Sequence, residues 1–381
     1  MRAGAVAVWA LALAGCPVPV GNSDGNGNGD DDDNVEAPPP LRLEREKSTQ
    51  TSNGSGRMKV EVEVPEGAVS FQVTGTSSLF VSFEEVVDPQ GRSALDWTDW
   101  VYSDESITLS FYPLRNTTAL NWPIRGKDGP LTPGTWTVWM ATTNSSYQYV
   151  PDVKVDLTTE LKFDPEPNEG HYSVQIVWAD GVDDDQKVVN AVEAATERWA
   201  EVWAKSGLTL DVHYATSKLD PDLSFTYSGD PAVEKVADKK ADGELQLIVG
   251  ETVFGEDYIF GVSAGIPGTI EPTEHTFVVL SWLTHAGVDG KFDDDEIRLM
   301  GETMAHECGH YTGLFHPVEA TYNAWDALAD TDKCTRGSTC DDVLGSNVMY
   351  PYPLCTFVSC DPQGQMTEDQ GEVMNNYVGA L

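Results

Sequence analysis

Short runs of alternating hydrophobic and polar residues fill the chain from about residue 57 to residue 163. Every second residue of each run is hydrophobic, and glycine, proline and aspartate separate one run from the next. A period of two predicts β-strands with one buried face. The predicted strands are 59–64, 78–83, 106–111 and 135–140. Several short strands without helical spacing between them predict an all-β sandwich over residues 57–163.

The pattern changes after residue 163, where a stretch rich in proline and glutamate, 163–170, indicates a linker. Residues 183–205 repeat their hydrophobic positions every three or four residues, which predicts a helix, and Gly207 is placed to end it. Strands are predicted around this helix at 171–179, 208–214, 244–249 and 277–282. The mixture predicts a second, α/β domain over residues 164–381.

A second long helix is predicted over residues 294–311. One face carries its hydrophobic residues, which are Ile297, Met300, Met304, Cys308 and Tyr311. Asp293 and Glu296 have the spacing of a capping box at its start. This stripe places Cys308 in the core, as a small apolar residue rather than a metal ligand or a nucleophile.

The end of this helix carries the pattern HExxHxxGxxH. Residues four apart share one helix face, so His306 and His310 can direct their imidazoles at one metal ion. Gly313 allows the chain to leave the helix in a conformation that brings His316 to the same ion. Three histidine ligands with an open fourth position are typical of catalytic zinc. Glu307, beside the first ligand, is placed to act as the general base. The alternative, three ordinary histidines near a helix end, does not explain why the glutamate and the glycine also fit.

This motif resembles that of the metzincin clan of zinc endopeptidases. A second mark of the clan is a methionine in a tight turn beneath the zinc, and Met349 in the run Asn-Val-Met-Tyr-Pro is the candidate. The resemblance covers about residues 170–381. It implies an α/β metzincin-like peptidase domain, one catalytic Zn²⁺ and a protein or peptide substrate. It also implies an edge strand that pairs with extended substrate, for which residues 260–266 are the candidate.

The subfamily stays open because the resemblances disagree. Pro317 after the third histidine resembles serralysins, Met349 followed by Tyr350 and Pro351 resembles matrixins, and the acidic residues of 326–332 resemble pappalysins. Some metzincins use a tyrosine two residues after the methionine as an extra zinc ligand. That position is Pro351 here, so no tyrosine is assigned this role.

Residues 1–16 have the pattern of a secretion signal, with Arg2 followed by an apolar run that ends Leu-Ala-Gly-Cys. This ending resembles a bacterial lipobox, which implies lipidation of Cys16. Pro17 follows it, and the resemblance then implies an exported lipoprotein of the outer membrane or cell surface. The alternative is an ordinary signal peptide cleaved elsewhere. Residues 17–56, rich in Gly, Asn, Asp and Pro, predict a disordered acidic tether.

The net charge of the chain limits the classes of molecule that it is expected to bind. The chain has 23 Lys and Arg against 62 Asp and Glu, for a formal net charge of −39. Such a charge argues against nucleic acid and anionic membrane surfaces, so membrane contact is expected only through the lipid anchor. The acidic stretches raise the question of structural Ca²⁺. Those at 183–185 and 293–295 are explained better as helix starts, so calcium is possible but unsupported.

Four cysteines cluster around the candidate methionine turn, namely Cys334, Cys340, Cys355 and Cys360. In an exported protein this favours two disulfides, and three pairings are possible. The alternative is a second zinc site, but the spacings contain no CxxC pair.

Two functions follow from these features. The first is a surface-anchored zinc endopeptidase with Glu307 as general base. The second is a surface binding module whose zinc site is structural or vestigial. A structural site needs no base, so Glu307 favours the enzyme. We also expect residues 57–163 to form an accessory domain, and a chain that starts near residue 166 to fold and cleave peptides without it.

Overall fold

The computed structural model describes residues 41–98, 104–225, 229–286, 290–355 and 359–381. Its strands are β1 (Arg42–Thr51), β2 (Arg57–Val64), β3 (Ala68–Val87), β4 (Ser93–Asp96), β5 (Glu105–Ser106), β6 (Arg115–Trp122), β7 (Gly134–Thr143), β8 (Lys154–Phe163), β9 (His171–Trp178), β10 (Thr209–Thr216), β11 (Leu245–Gly250), β12 (Gly261–Ser263), β13 (Val278–Ser281) and β14 (Trp325–Asp326). Its α-helices are α1 (Gln186–Trp203), α2 (Pro231–Ala237), α3 (Trp282–His285), α4 (Asp294–Thr312), α5 (Gly337–Leu344) and α6 (Glu368–Asn376). The fold is mixed and rich in sheet.

The N-terminal half is one curled sheet of seven strands. Its main order is β1-β8-β3-β7-β2, and both β4 and β6 also pair with β3. The 20-residue strand β3 changes neighbours along its length, because 68–77 pairs with β8 whereas 80–87 pairs with β7. The sheet therefore bends around a core that includes Phe71 and Phe83. The all-β character of this region is confirmed, but a shared strand replaces the two separate sheets of the predicted sandwich.

The prediction of a strand over residues 106–111 is wrong for most of those residues. Only β5 is a strand there, and it pairs with β14 from the other half of the chain. Beyond β5, the backbone N–H of Ser110 donates to the hydroxyl of Thr108 at 3.2 Å, and the N–H of Leu109 donates to the carbonyl of Ile266 at 2.8 Å. Local side-chain hydrogen bonds of this kind compete with a strand ladder.

The predicted tether, 17–56, is too long at its C-terminal end. Residues 42–51 form β1, which pairs antiparallel with β8. This strand lies at the edge of the sheet, and its mostly charged and polar side chains leave no alternating pattern to detect. Cys16 and the rest of 1–40 lie outside the described residues, so the lipid anchor stays a prediction.

The C-terminal half is built on a five-stranded sheet of order β10-β9-β11-β13-β12. The first four strands are parallel, and β12 pairs antiparallel with β13 at the edge. Helix α1 packs against α4. Asp185 caps the start of α1, and Gly207 has a φ of +75° beyond its end, as its place in the sequence predicts. The four strands predicted in this half are confirmed within a few residues.

Helix α4 spans Asp294–Thr312, within one residue of the prediction. Its capping box is present, since Asp293 accepts from the backbone N–H of Glu296 at 2.9 Å and Glu296 accepts from that of Asp293 at 2.8 Å. Cys308 is a free, fully buried thiol in the core, which confirms its assignment.

Buried polar contacts join the two halves. The ammonium of Lys162, on β8, is fully buried and donates to the carbonyl of Asn375 on α6 at 2.8 Å. Asn121, on β6, donates to the carbonyl of Asn376 and accepts from the N–H of Val378. Each half has its own apolar core, but separation of the halves would break these buried hydrogen bonds and expose the surfaces around them to water. The contacts argue against independent folding of residues 166–381, and the division near residue 164 stays a prediction.

Within the described ranges, no helix combines the length and the apolar character needed to cross a membrane.

Candidate metal centre

Three histidines converge at the C-terminal end of α4. The Nε2 atom of His316 lies 3.1 Å from Nε2 of His310 and 3.3 Å from Nε2 of His306. His306 and His310 lie one helical turn apart on one face, as their spacing predicts. Ring nitrogens this close, on three side chains of which two are buried and one half-buried, form a cluster that can hold a metal ion.

Gly313 brings the third histidine to the other two. Helix α4 ends there, with the N–H of Gly313 donating to the carbonyl of His310 at 3.0 Å. Its φ of +121° lies in the region that side chains with a Cβ rarely adopt. The chain then folds back, so that the N–H of Leu314 reaches the carbonyl of Gly309 at 3.0 Å and His316 returns to the helix face.

The other ring nitrogen of each histidine is held by an acceptor. Nδ1 of His306 donates to the carbonyl of Val348 at 2.8 Å, and Nδ1 of His310 donates to that of Leu314 at 2.7 Å. Nδ1 of His316 lies 3.0 Å from a carboxylate oxygen of Glu319. These partners direct the three Nε2 lone pairs at one point, which is how proteins orient histidine ligands.

Electrostatics also favour neutral imidazoles at this cluster. Burial, and then the neighbouring His310 and His316, lower the pKa of His306 well below its ordinary value. Burial and His316 lower that of His310 to about 3. A metal ligand must be unprotonated at the coordinating nitrogen. The donor set, three imidazoles whose second nitrogens are held by acceptors, therefore fits a zinc ion.

Glu307 lies beside this cluster, against the edge strand β12. The backbone N–H of Ser263 hydrogen bonds its carboxylate. A Cβ built on Gly261 would lie 2.8 Å from Cγ of Glu307, so only glycine lets the strand approach this closely. Burial raises the pKa of Glu307 to about 8, and the Ser263 hydrogen bond opposes that rise. A cation held by the three histidines would also oppose the rise in the pKa of Glu307, because it favours the charged carboxylate.

Met349 packs against the C-terminal end of α4, where the histidines converge. It is fully buried, and its sulfur would be 2.8 Å from a Cβ built on Gly309. Asn347 shapes the turn by accepting from the N–H of Met349 at 2.8 Å with its side chain and from that of Tyr350 at 3.0 Å with its carbonyl. The same turn supplies the Val348 carbonyl that orients His306.

The four cysteines around the methionine turn form pairs between residues close together in the chain. Disulfides join Cys334 to Cys340 and Cys355 to Cys360, with S–S distances of 2.06 and 1.99 Å. The structure thus selects one of the three pairings and leaves these four thiols with no metal-binding role. The acidic stretches before α1 and α4 cap those helices, and calcium remains unsupported.

Sequence reasoning missed the residues that support the site. Glu319 follows His316 by three positions, which is a weak signal in a chain with many carboxylates. Val348 and Ser263 act through backbone groups, and only the folded chain brings those to the histidines and to Glu307. Tyr350, which the sequence left without a role, donates its hydroxyl to Asp341 at 2.7 Å.

No protein-family model matches the chain, and no curated protein matches it. Among solved structures it is similar to archaemetzincin from Methanopyrus kandleri at 21% identity, with 38% of this chain and 76% of that chain covered and a TM-score of 0.25. It is also similar to metalloproteinase-II from Bacteroides fragilis at 12% identity, with 43% and 53% covered and a TM-score of 0.26. Desmodium yellow mottle tymovirus matches at 12% identity, with 40% and 95% covered and a TM-score of 0.19. TM-scores this low carry no weight for function.

Proposed function

We propose that this protein is a zinc-dependent endopeptidase. The convergence of three Nε2 atoms, each on a histidine whose Nδ1 is held by an acceptor, is the observation that carries the proposal. A set of three histidines leaves a position for water and substrate, as catalytic zinc requires. His306, His310 and His316 are the proposed ligands.

The chain's own residues supply the rest of the reaction. Zinc, when bound, acts as a Lewis acid that polarises a peptide carbonyl and acidifies water. Glu307 accepts the proton of the attacking water and delivers it to the departing amine nitrogen. The backbone N–H of Ser263 favours the charged carboxylate of Glu307, the form that accepts the proton. Met349 supports the helix end from below through Gly309.

The setting of the enzyme is also a proposal. Two disulfides support export to an oxidising compartment. The pattern of residues 1–16 adds a lipid anchor on Cys16 at a bacterial surface or outer membrane. A net charge of −39 favours a protein or peptide substrate over nucleic acid. The metzincin subfamily stays open among the serralysin-, matrixin- and pappalysin-like groups.

Digestion of a peptide library tests the proposal. The purified protein is incubated with the library as prepared, after treatment with a zinc chelator, and after zinc is restored. Cleavage should stop with the chelator and return with zinc. His316→Ala should lose zinc and activity, whereas His171→Ala, which changes an exposed histidine elsewhere, should keep both. Cleavage that continues in the zinc-free protein would refute the proposal.

A further inference from the structure

Residues 264–270, here named the brace segment, follow the edge strand β12 in the chain and make hydrogen bonds to the N-terminal sheet. The segment leaves β12 directly, close to the point where Gly261 of that strand packs against the side chain of Glu307. It then passes over helix α4, where the N–H of Gly268 donates to the carbonyl of Tyr311 at 2.8 Å. A Cβ on Gly268 would lie 2.1 Å from the Tyr311 ring, so the segment and the helix are in close contact.

The outer side of the brace segment is held by the N-terminal sheet. Gln72, on β3, is fully buried, and its side-chain amide donates to the carbonyl of Gly268 at 3.1 Å. Its side-chain oxygen accepts from the N–H of Ile270 at 3.3 Å. The neighbouring Thr74 places its hydroxyl 2.7 Å from that of Thr269. One glutamine thus satisfies two backbone groups of the segment, as a paired strand would.

We infer that Gln72 is a positioning residue for the catalytic site, and that the N-terminal sheet is part of the peptidase rather than an accessory domain. The inference rests on the proposed function. Without Gln72, the N–H of Ile270 loses its buried partner and the carbonyl of Gly268 keeps only the hydroxyl of Tyr377, at 3.2 Å, which favours movement of the brace segment. Movement there shifts β12, and with it the Gly261 backbone against which the side chain of Glu307 packs. Displacement of a catalytic group by about 1 Å can cost about a hundredfold in rate.

The test compares three variants of the full chain. Gln72→Leu removes both hydrogen bonds from Gln72 to the brace segment. Thr74→Val removes the contact with Thr269 and the 3.5 Å hydrogen bond from Thr74 to the side-chain oxygen of Gln72. Thr142→Val is the matched control, because Thr142 is equally buried in the same sheet and its side chain bonds only to residues of the N-terminal half, Ser52, Gly56 and Val150. For each variant, zinc content, unfolding temperature, kcat, KM and amide hydrogen exchange over 261–270 are measured.

Gln72→Leu should retain full zinc and lower kcat by about tenfold or more, with a smaller change in KM. Its amides over 261–270 should exchange faster than those of the wild type. Thr74→Val should show the same changes more weakly. If Gln72→Leu does not fold, the kcat and hydrogen exchange of Thr74→Val test the role of the brace segment. Thr142→Val should lower the unfolding temperature and leave kcat and exchange over 261–270 unchanged.

Unchanged kcat and unchanged exchange in folded Gln72→Leu, or in Thr74→Val when Gln72→Leu does not fold, would overturn the inference. An equal loss of kcat in Thr142→Val would do so as well, because it would show a general effect of destabilisation. The exchange measurement does not depend on catalysis. If the wild type cleaves no peptide, the proposed function fails, while the exchange data still decide whether Gln72 holds the brace segment and β12.

Discussion

His285, on α3, is predicted to make the stability of the protein depend on pH. Its ring is fully buried between Ser281, whose carbonyl accepts from Nδ1 at 2.5 Å, and Thr303, whose hydroxyl lies 2.6 Å from Nε2. Burial lowers its pKa from 6.5 to about 4, although the hydrogen bond to Ser281 opposes this shift. The site therefore holds a neutral imidazole and resists protonation.

The sign and size of the effect follow from the two pKa values. Between pH 4 and 6.5 the unfolded chain binds a proton at His285 that the folded chain does not, so stability rises with pH in this window. The contribution is complete above pH 6.5 and is lost as the pH falls towards 4. At pH 5 the loss at this one site is about 2 kcal/mol relative to pH 8.

Denaturant unfolding at pH 8, 7, 6 and 5 measures this loss in wild type and in His285→Gln. The variant should be less stable at pH 8, and the gap should narrow by about 2 kcal/mol at pH 5. Other titrating groups, including the proposed zinc ligands, are common to both proteins and cancel in the difference. His171→Gln, at an exposed site, should run parallel to wild type. A constant gap between wild type and His285→Gln would refute the reasoning.

Three further predictions concern other buried groups. Cys308→Ala should lower the free energy of unfolding by about 1 kcal/mol through a small cavity, with unchanged zinc content; loss of zinc in the folded variant would contradict its place in the core. Glu319→Ala should weaken zinc affinity by about 10- to 100-fold, because Nδ1 of His316 loses its acceptor. Competition with a chromogenic chelator measures the affinity, and an unchanged value would show that Glu319 does not support the site. Lys162→Met should lower the free energy of unfolding by about 3 to 5 kcal/mol, because it leaves Asp164 and the Asn375 carbonyl buried without their partner. An exposed ion pair contributes about 1 kcal/mol or less, so a loss of that size would contradict the burial of this contact.

Features that depend on local spacing were predictable from the sequence. The bounds of α4 follow from an apolar stripe and a capping box, both of which lie within the helix itself. The approach of His306 to His310 follows from one helical turn, and the return of His316 needs only the glycine between them. Each of these relations joins residues close together in the chain, so period and spacing are sufficient to predict them.

Features that depend on distant contacts were not predictable in this way. Strand β1 is an edge strand with mostly polar side chains, and its pairing with β8 is what orders it. The bend of β3 depends on which strands lie on each side of its two halves. The buried contacts of Lys162 and Gln72 involve ordinary polar residues in a strand pattern, whose partners lie about two hundred positions away. The expectation of an independent accessory domain did not include such contacts, and it stays a prediction.

The most direct test of the central claim is zinc content and peptide turnover in Glu307→Ala. The claim is that the three histidines hold zinc while Glu307 moves the proton, so the two properties should separate. The variant should bind one zinc ion per chain, as the wild type should, and lose about 10²- to 10⁴-fold in kcat. Glu193→Ala, which removes an exposed carboxylate from α1, should match wild type in both. Full zinc with unchanged turnover in Glu307→Ala would contradict the claim.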